Sequence, residues 1–316
     1  MCKSTNNKIK RLALALCSLL LVVCVAAQGT TTPFADASLP ASGTMVLVPS
    51  SPGTTVYNGG GATIDASNAS EGYVTIKYSG PTRAKVRITR TDSTKTYTYD
   101  LRSDGVYEVY PFTNGDGTYQ VHVYYCVIGD QYALALGQDI RVTLKDAMFP
   151  FLYPNQFVSF SADSATVKKA AELTGGSTDQ LTVIANIYNH VIGSVGYDSD
   201  KASAVKEGKL NGYVPKVDTI LASGKGICFD YAALMTAMLR SQGIPTRMEI
   251  GYVSGGIYHA WISTYITGVG WVNGAIQFDG TTWKLMDPTF ASSSKSNNEI
   301  MQFIGDGRNY QTVYMY

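Results

Sequence analysis

The chain has 316 residues, a formal net charge of +1 and only 16% charged side chains against 45% hydrophobic ones. It carries no basic block and no basic-aromatic stripe, which excludes a nucleic-acid-binding reading. Once a leader is set aside, the length suits two domains of ordinary size.

The leader comes first. Lys3, Lys8, Lys10 and Arg11 precede an uncharged apolar run, Leu12 to Val25, and Val25-Ala26-Ala27 offers the small side chains a signal peptidase reads. This predicts a signal peptide over 1–27, cut after Ala27, and a secreted or cell-surface protein. The apolar run is short of the ~20 residues a membrane span needs. Lipid attachment at Cys24 is disfavoured by Val23, where a small residue is expected. Two cysteines then remain, Cys126 and Cys228, too few for a disulfide-stapled secreted scaffold. They fall in different predicted domains, so no bond between them is expected.

Residues 28–44 are small, polar and proline-punctuated, and read as a disordered tether. From 45 to 148 the signal is β. Tyr73–Tyr78, Ala84–Thr89, Thr96–Asp100, Val106–Tyr110, Tyr119–Ile128 and Ile140–Leu144 are short β-branched and aromatic runs separated by Gly, Pro, Asn and Asp. Their spacing predicts an all-β, immunoglobulin-like sandwich. Tyr119, Val121, Val123 and Tyr125 would share one strand face and Gln120, His122 and Tyr124 the other, so His122 reads as a sheet-surface side chain. Cys126 reads as a buried core thiol. Residues 149–162, with two prolines among aromatics, read as an ordered connector.

The period changes in 163–316. Asp163 can cap a helix over Ala165–Leu173, and Thr178 or Asp179 a second one carrying Leu181, Ile184, Ile187, Tyr188 and Val191 at helical spacing. His190 falls in the last turn of that helix and reads as structural. Gly196-Tyr197-Asp198 reads as a turn, and Val217–Ser223 as a short helix. Gly224 and Gly226 then allow tight backbone geometry before Cys228. Phe229–Gln242 reads as an amphipathic helix with Tyr231, Leu234, Met235, Met238 and Leu239 as its buried stripe, stopped by Gly243 and Pro245. Cys228 therefore stands at a helix N-terminus, where free amides and the dipole favour a thiolate and can donate to an oxyanion.

His259 begins a predicted strand, and Asp287 ends the strand Trp283–Met286 just before Pro288. Thiol, imidazole and carboxylate in this order suggest a Cys-His-Asp triad from a helix and two adjacent strands, with the carboxylate fixing the imidazole tautomer. The tail from Ile300 to Tyr316 reads as a short helix and a closing strand; its FIGDGRNY lacks phosphate-loop spacing.

Three stretches carry a family resemblance: GKGICFDYAALMTAMLRSQGIPTR, YHAWISTYI and GTTWKLMDPTF. From about Ser164 to Ala291 the chain resembles the transglutaminase-like superfamily of papain-like thiol enzymes. The resemblance implies an α+β papain-like catalytic domain with Cys228 as nucleophile, His259 as base and Asp287 as orienting acid. It also makes Tyr197 the candidate oxyanion donor. The chain departs from the family between Trp271 and Trp283, where it inserts 272–282, with Phe278-Asp279-Gly280 as a hairpin tip. No acidic loop has calcium-binding spacing, so neither a metal nor another cofactor is expected.

The function this implies is an exported thiol enzyme attacking amide bonds of peptides, proteins or cell-wall stems. Water would resolve the acyl-enzyme in a protease or amidase, and an amine would do so in a transglutaminase. The alternative is a non-catalytic surface-binding or adhesion protein on a papain-like scaffold. Internal isopeptide bonding needs a buried Lys–Asn or Lys–Asp pair that sequence cannot show. The sandwich would position the enzyme at the cell envelope, and its deletion would leave turnover of a small amide largely intact.

Overall fold

The structure, a computed structural model, describes residues 44–253, 255–268, 270–273, 275–278, 283–286 and 310–316. The leader with Cys24, nearly all of the tether, the hairpin tip at Asp279-Gly280, Asp287 and the expected tail helix lie outside the described residues.

The first half is a sandwich of two antiparallel four-stranded sheets. One has the order β1 (Val56–Gly59), β2 (Ala62–Asp65), β3 (Tyr73–Tyr78), β6 (Glu108–Pro111). The other has the order β5 (Thr96–Leu101), β4 (Ala84–Arg90), β7 (Gly117–Ile128), β8 (Gln131–Val142). The β1–β2 hairpin escapes the sequence reading, although its two-residue turn at Gly60-Gly61, both at positive φ, is the geometry that favours a hairpin. Strand β8 is twelve residues long, not the five expected.

On β7 the expected alternation holds for Tyr119, Val121 and Val123, which are buried. It breaks at the register shift between Val123 and Tyr124, so that Tyr125 is half-buried and Cys126 takes the inward place. His122 stays on the sheet surface, with Nδ1 3.3 Å from the Tyr124 hydroxyl.

The second half is α+β. Helices α1 (Ala165–Thr174), α2 (Gln180–Ser194), α4 (Val217–Ser223) and α5 (Cys228–Arg240) pack together. Helix α5 also lies on a sheet of order β13 (Gly270–Asn273), β12 (Ile257–Ile266), β11 (Thr246–Val253), β16 (Gln311–Met315). A short helix, α3 (Ser199–Lys206), follows β9 (Gly196–Tyr197), which pairs in parallel with β10 (Lys225–Gly226). The inserted segment supplies a separate hairpin, β14 (Ala275–Phe278) with β15 (Trp283–Met286), in which Phe278 pairs with Trp283.

Four expectations are corrected. Asp163 does not cap α1; Asp218, from the first turn of α4, accepts from the N–H groups of Ala165 and Thr166 at 3.2 and 2.9 Å. Gly196-Tyr197 is a strand and not a turn, because Gly196 N–H donates to the Gly224 carbonyl at 2.8 Å and Asp198 N–H to the Gly226 carbonyl at 2.9 Å. Helix α5 is not amphipathic: Asp230 through Arg240 are all buried, since other helices cover the sides the sheet leaves open. Among the described residues β15 pairs with β14 and not with β12, so the two strands assigned to the triad are not hydrogen-bonded neighbours.

The hydrophobic core runs continuously from sandwich to α+β half. Tyr316 is the junction. Its ring centroid lies 5.7 Å from Tyr97, 5.9 Å from Tyr99 and 4.7 Å from Phe157. Arg240, wholly buried, places Nε and Nη2 on the Thr246 carbonyl, Nη2 also on that of Tyr316 and Nη1 on that of Tyr153. One guanidinium thus ties α5, the connector and the closing strand.

Candidate active site

Cys228 is the first residue of α5, half-buried, while the helix beyond Phe229 is sealed. Its placement depends on the chain before it. Gly224 ends α4 in the left-handed region, at φ 61°, and a Cβ there would stand 2.9 Å from the Ser194 carbonyl oxygen. Gly226 is excluded from carrying a side chain by Asp230, whose Cβ would lie 2.7 Å away. The helix start is held by Asp230 itself, which accepts from the Ile227 N–H at 2.9 Å in the N3 capping position.

Asp230 is completely buried and carries the strongest polar network near the thiol. Lys201 Nζ lies 2.7 Å from Oδ2, Tyr213 donates to Oδ1 at 2.5 Å, and Lys201 also reaches the Tyr213 oxygen at 2.6 Å. Burial first, then the Asp230 hydrogen bond and charge, push the Tyr213 phenol far above its usual range, so it stays a donor. Sequence reasoning missed this network. An acidic residue three places after a helix start was its one visible signal; Lys201 and Tyr213 come from a helix and a loop that only the fold brings in.

The network also seats Tyr197. Asp198 accepts from the Lys201 N–H at 2.9 Å, and Tyr197 lies on β9 beside Gly226, two residues before the nucleophile. Burial first, and then the proximity of Cys228, raise the Tyr197 phenol pKa. Strand pairing thus sets Tyr197 beside the backbone that leads into Cys228. Burial first, then Tyr314, Tyr252 and Cys228, raise the phenol of Tyr258, whose ring lies 5.4 Å from that of Tyr252.

His259 follows Tyr258 on β12, buried and paired in register with Gly251. Consecutive in a strand, Tyr258 and His259 leave opposite faces. Asp287 lies outside the described residues. Cys126 and Cys228 are both free thiols. Cys126 is buried with its sulfur 3.2 Å from the Gly129 carbonyl, as a core thiol. Among the described residues no three His, Cys, Asp or Glu side chains gather as a metal site, and no helix is long and apolar enough to cross a membrane.

Residues 167–274 match the model of the transglutaminase-like superfamily, and this part of the chain is a transglutaminase-like domain. Among solved structures, the chain is similar to a candidate cysteine protease from Cytophaga hutchinsonii, at 16% identity and TM-score 0.34, covering 69% of this chain and 77% of that one. It is also similar to red sea bream transglutaminase, at 12% identity and TM-score 0.26, covering 71% of this chain and 48% of that one. A fibronectin-type domain of human collagen alpha-1(XX) matches at 13% identity and TM-score 0.22, covering 33% of this chain and 90% of that one. Likenesses this distant transfer no activity. Among curated proteins no sequence match was found.

Proposed function

We propose that the protein is an exported transglutaminase-like cysteine enzyme acting on amide bonds of peptides, proteins or cell-wall stems. The observation that carries this is Cys228, a half-exposed thiol at the N-terminus of an otherwise buried helix, within the matched transglutaminase-like region.

The Cys228 sulfur attacks the amide carbonyl carbon, and the C–S bond forms as the carbonyl oxygen takes the negative charge. Helix-terminal amides and the Tyr197 phenol, held protonated by its raised pKa, donate to that oxyanion. His259 takes the Cys228 thiol proton and gives it to the leaving amine as the C–N bond breaks, leaving an acyl thioester, and Asp287 holds the imidazole in its working tautomer. Water then resolves the thioester, or an amine does. We favour hydrolysis. The roles of His259 and Asp287 rest on the family motifs.

The test is intact mass spectrometry of wild type, Cys228→Ala, His259→Ala and Tyr258→Phe, incubated with a glutamine-containing peptide library and a labelled primary amine. Cleaved or deamidated peptide that needs Cys228 and His259 is the expected result. Amine incorporation would make the enzyme a transglutaminase. Full turnover by His259→Ala would remove the triad, and no Cys228-dependent product would favour the surface-binding alternative.

A further inference from the structure

A second cleft of about 540 Å³ opens where the sandwich meets the α+β half, and neither Cys228, Tyr197 nor Tyr258 lines it. Its size lies within the range of small-molecule sites. Its walls include Arg90, Asp92, Asn114, Phe151 and Arg247.

The two guanidinium groups differ. Arg90 is occupied: Nε and Nη2 each lie 2.8 Å from Asp92 carboxylate oxygens, and Nη1 donates to the Asn114 carbonyl. Their charges cancel at that wall. Arg247 lies 3.6 Å over the Trp271 ring centroid and 4.8 Å over that of Phe151. Among the described residues no carboxylate or carbonyl accepts a hydrogen bond from it, and its Nε is buried without a partner. The carboxylate whose charge acts on it, Glu249, accepts from the hydroxyls of Ser263 and Thr312. Arg240, with every bond directed at a carbonyl, shows how this fold satisfies a guanidinium that serves structure alone. A guanidinium stacked on aromatic faces keeps its in-plane donors for a partner arriving at its edge, and that partner is a planar or tetrahedral oxyanion. A buried donor without a partner calls for such an explanation.

We propose that this cleft binds an oxyanion, the carboxylate or phosphate group of a small ligand, with Arg247 as its anchor and Asn114 supplying a neutral polar contact. The site stands independently of the thiol chemistry.

Full-length protein would be titrated with inorganic phosphate and, separately, succinate, against sodium chloride at matched ionic strength, following thermal unfolding and tryptophan fluorescence. A saturable upward shift with one or both oxyanions is expected, and the stronger of the two names the group. Arg247→Gln should weaken it by tenfold or more, in line with the ~1.5–3 kcal/mol of a charged hydrogen bond. Asp92→Asn, which leaves Arg247 in place and releases Arg90, should tighten it several-fold. Cys228→Ala should bind as wild type does. A wild-type response no greater than that to chloride, unchanged affinity in Arg247→Gln, or unchanged or weaker affinity in Asp92→Asn would each overturn the site.

Discussion

At the scale of the residue, charge burial beneath the nucleophile is the dominant feature. Asp230 is fully buried, and its carboxylate is tolerated because Lys201, Tyr213 and the Ile227 amide converge on it. Replacing Lys201 by Met leaves that carboxylate without its counter-charge, and removing one partner of a buried pair costs ~3 kcal/mol or more. Urea unfolding of Lys201→Met should show this loss, whereas Lys169→Met, which breaks a surface pair with Glu172, should shift stability by well under ~1 kcal/mol. Of this cluster the sequence made legible Cys228 and the glycines before it, because helix-start chemistry is local. Lys201 and Tyr213 were illegible because each reaches the site through the fold and through no spacing rule.

At the scale of the element, caps and close approaches set what the chain tolerates. Asp179 caps α2 by accepting from the Thr182 N–H at 2.9 Å, and from the Thr182 hydroxyl, and these bonds lower its pKa. A carboxylate depressed in the folded state stabilises above the ordinary aspartate range, and this contribution fades as pH falls through it. Asp179→Ala should therefore cost ~1 kcal/mol at neutral pH, and thermal melts of the two proteins should converge as pH falls through the lowered folded-state pKa of Asp179. The cap was legible because Asp before an apolar periodic run is a local signature; the cap of α1 was not, because Asp218 is supplied from 52 residues away. On β11, a Cβ at Gly251 would stand 2.0 Å from the Gln311 carbonyl oxygen at the register shift with β16. Gly251→Ala should destabilise by ~1–3 kcal/mol through strain on the closing strand, and hydrogen exchange should show the β16 amides losing protection.

At the scale of the whole molecule, sandwich and α+β half share one core. Tyr97 and Tyr99 pack on Tyr316, the Thr113 hydroxyl donates to the Met315 carbonyl at 3.0 Å, and Met45 N–H donates to the Ser241 carbonyl at 2.8 Å. Deleting residues 28–148 would expose this aromatic cluster and unseat the last strand of the sheet beneath α5. The sequence-based expectation of an intact truncated enzyme is therefore replaced: the truncated protein should aggregate or unfold, and gel filtration with far-ultraviolet circular dichroism reads the outcome. A folded, monomeric truncation would show that the shared core is dispensable.

By itself the sequence determined the sandwich, the α+β half, the helices flanking the site and the position of Cys228 at a helix start, since each follows from periodicity, turn chemistry or capping within a few residues. It also carried the superfamily motifs. Tertiary structure alone decided the rest. It sealed α5 from Asp230 to Arg240 and moved the insertion into its own hairpin. It also left Arg247 stacked and without a hydrogen-bond partner among the described residues beside a cleft. These depend on which elements meet, and burial and pairing between distant segments leave no trace in local spacing.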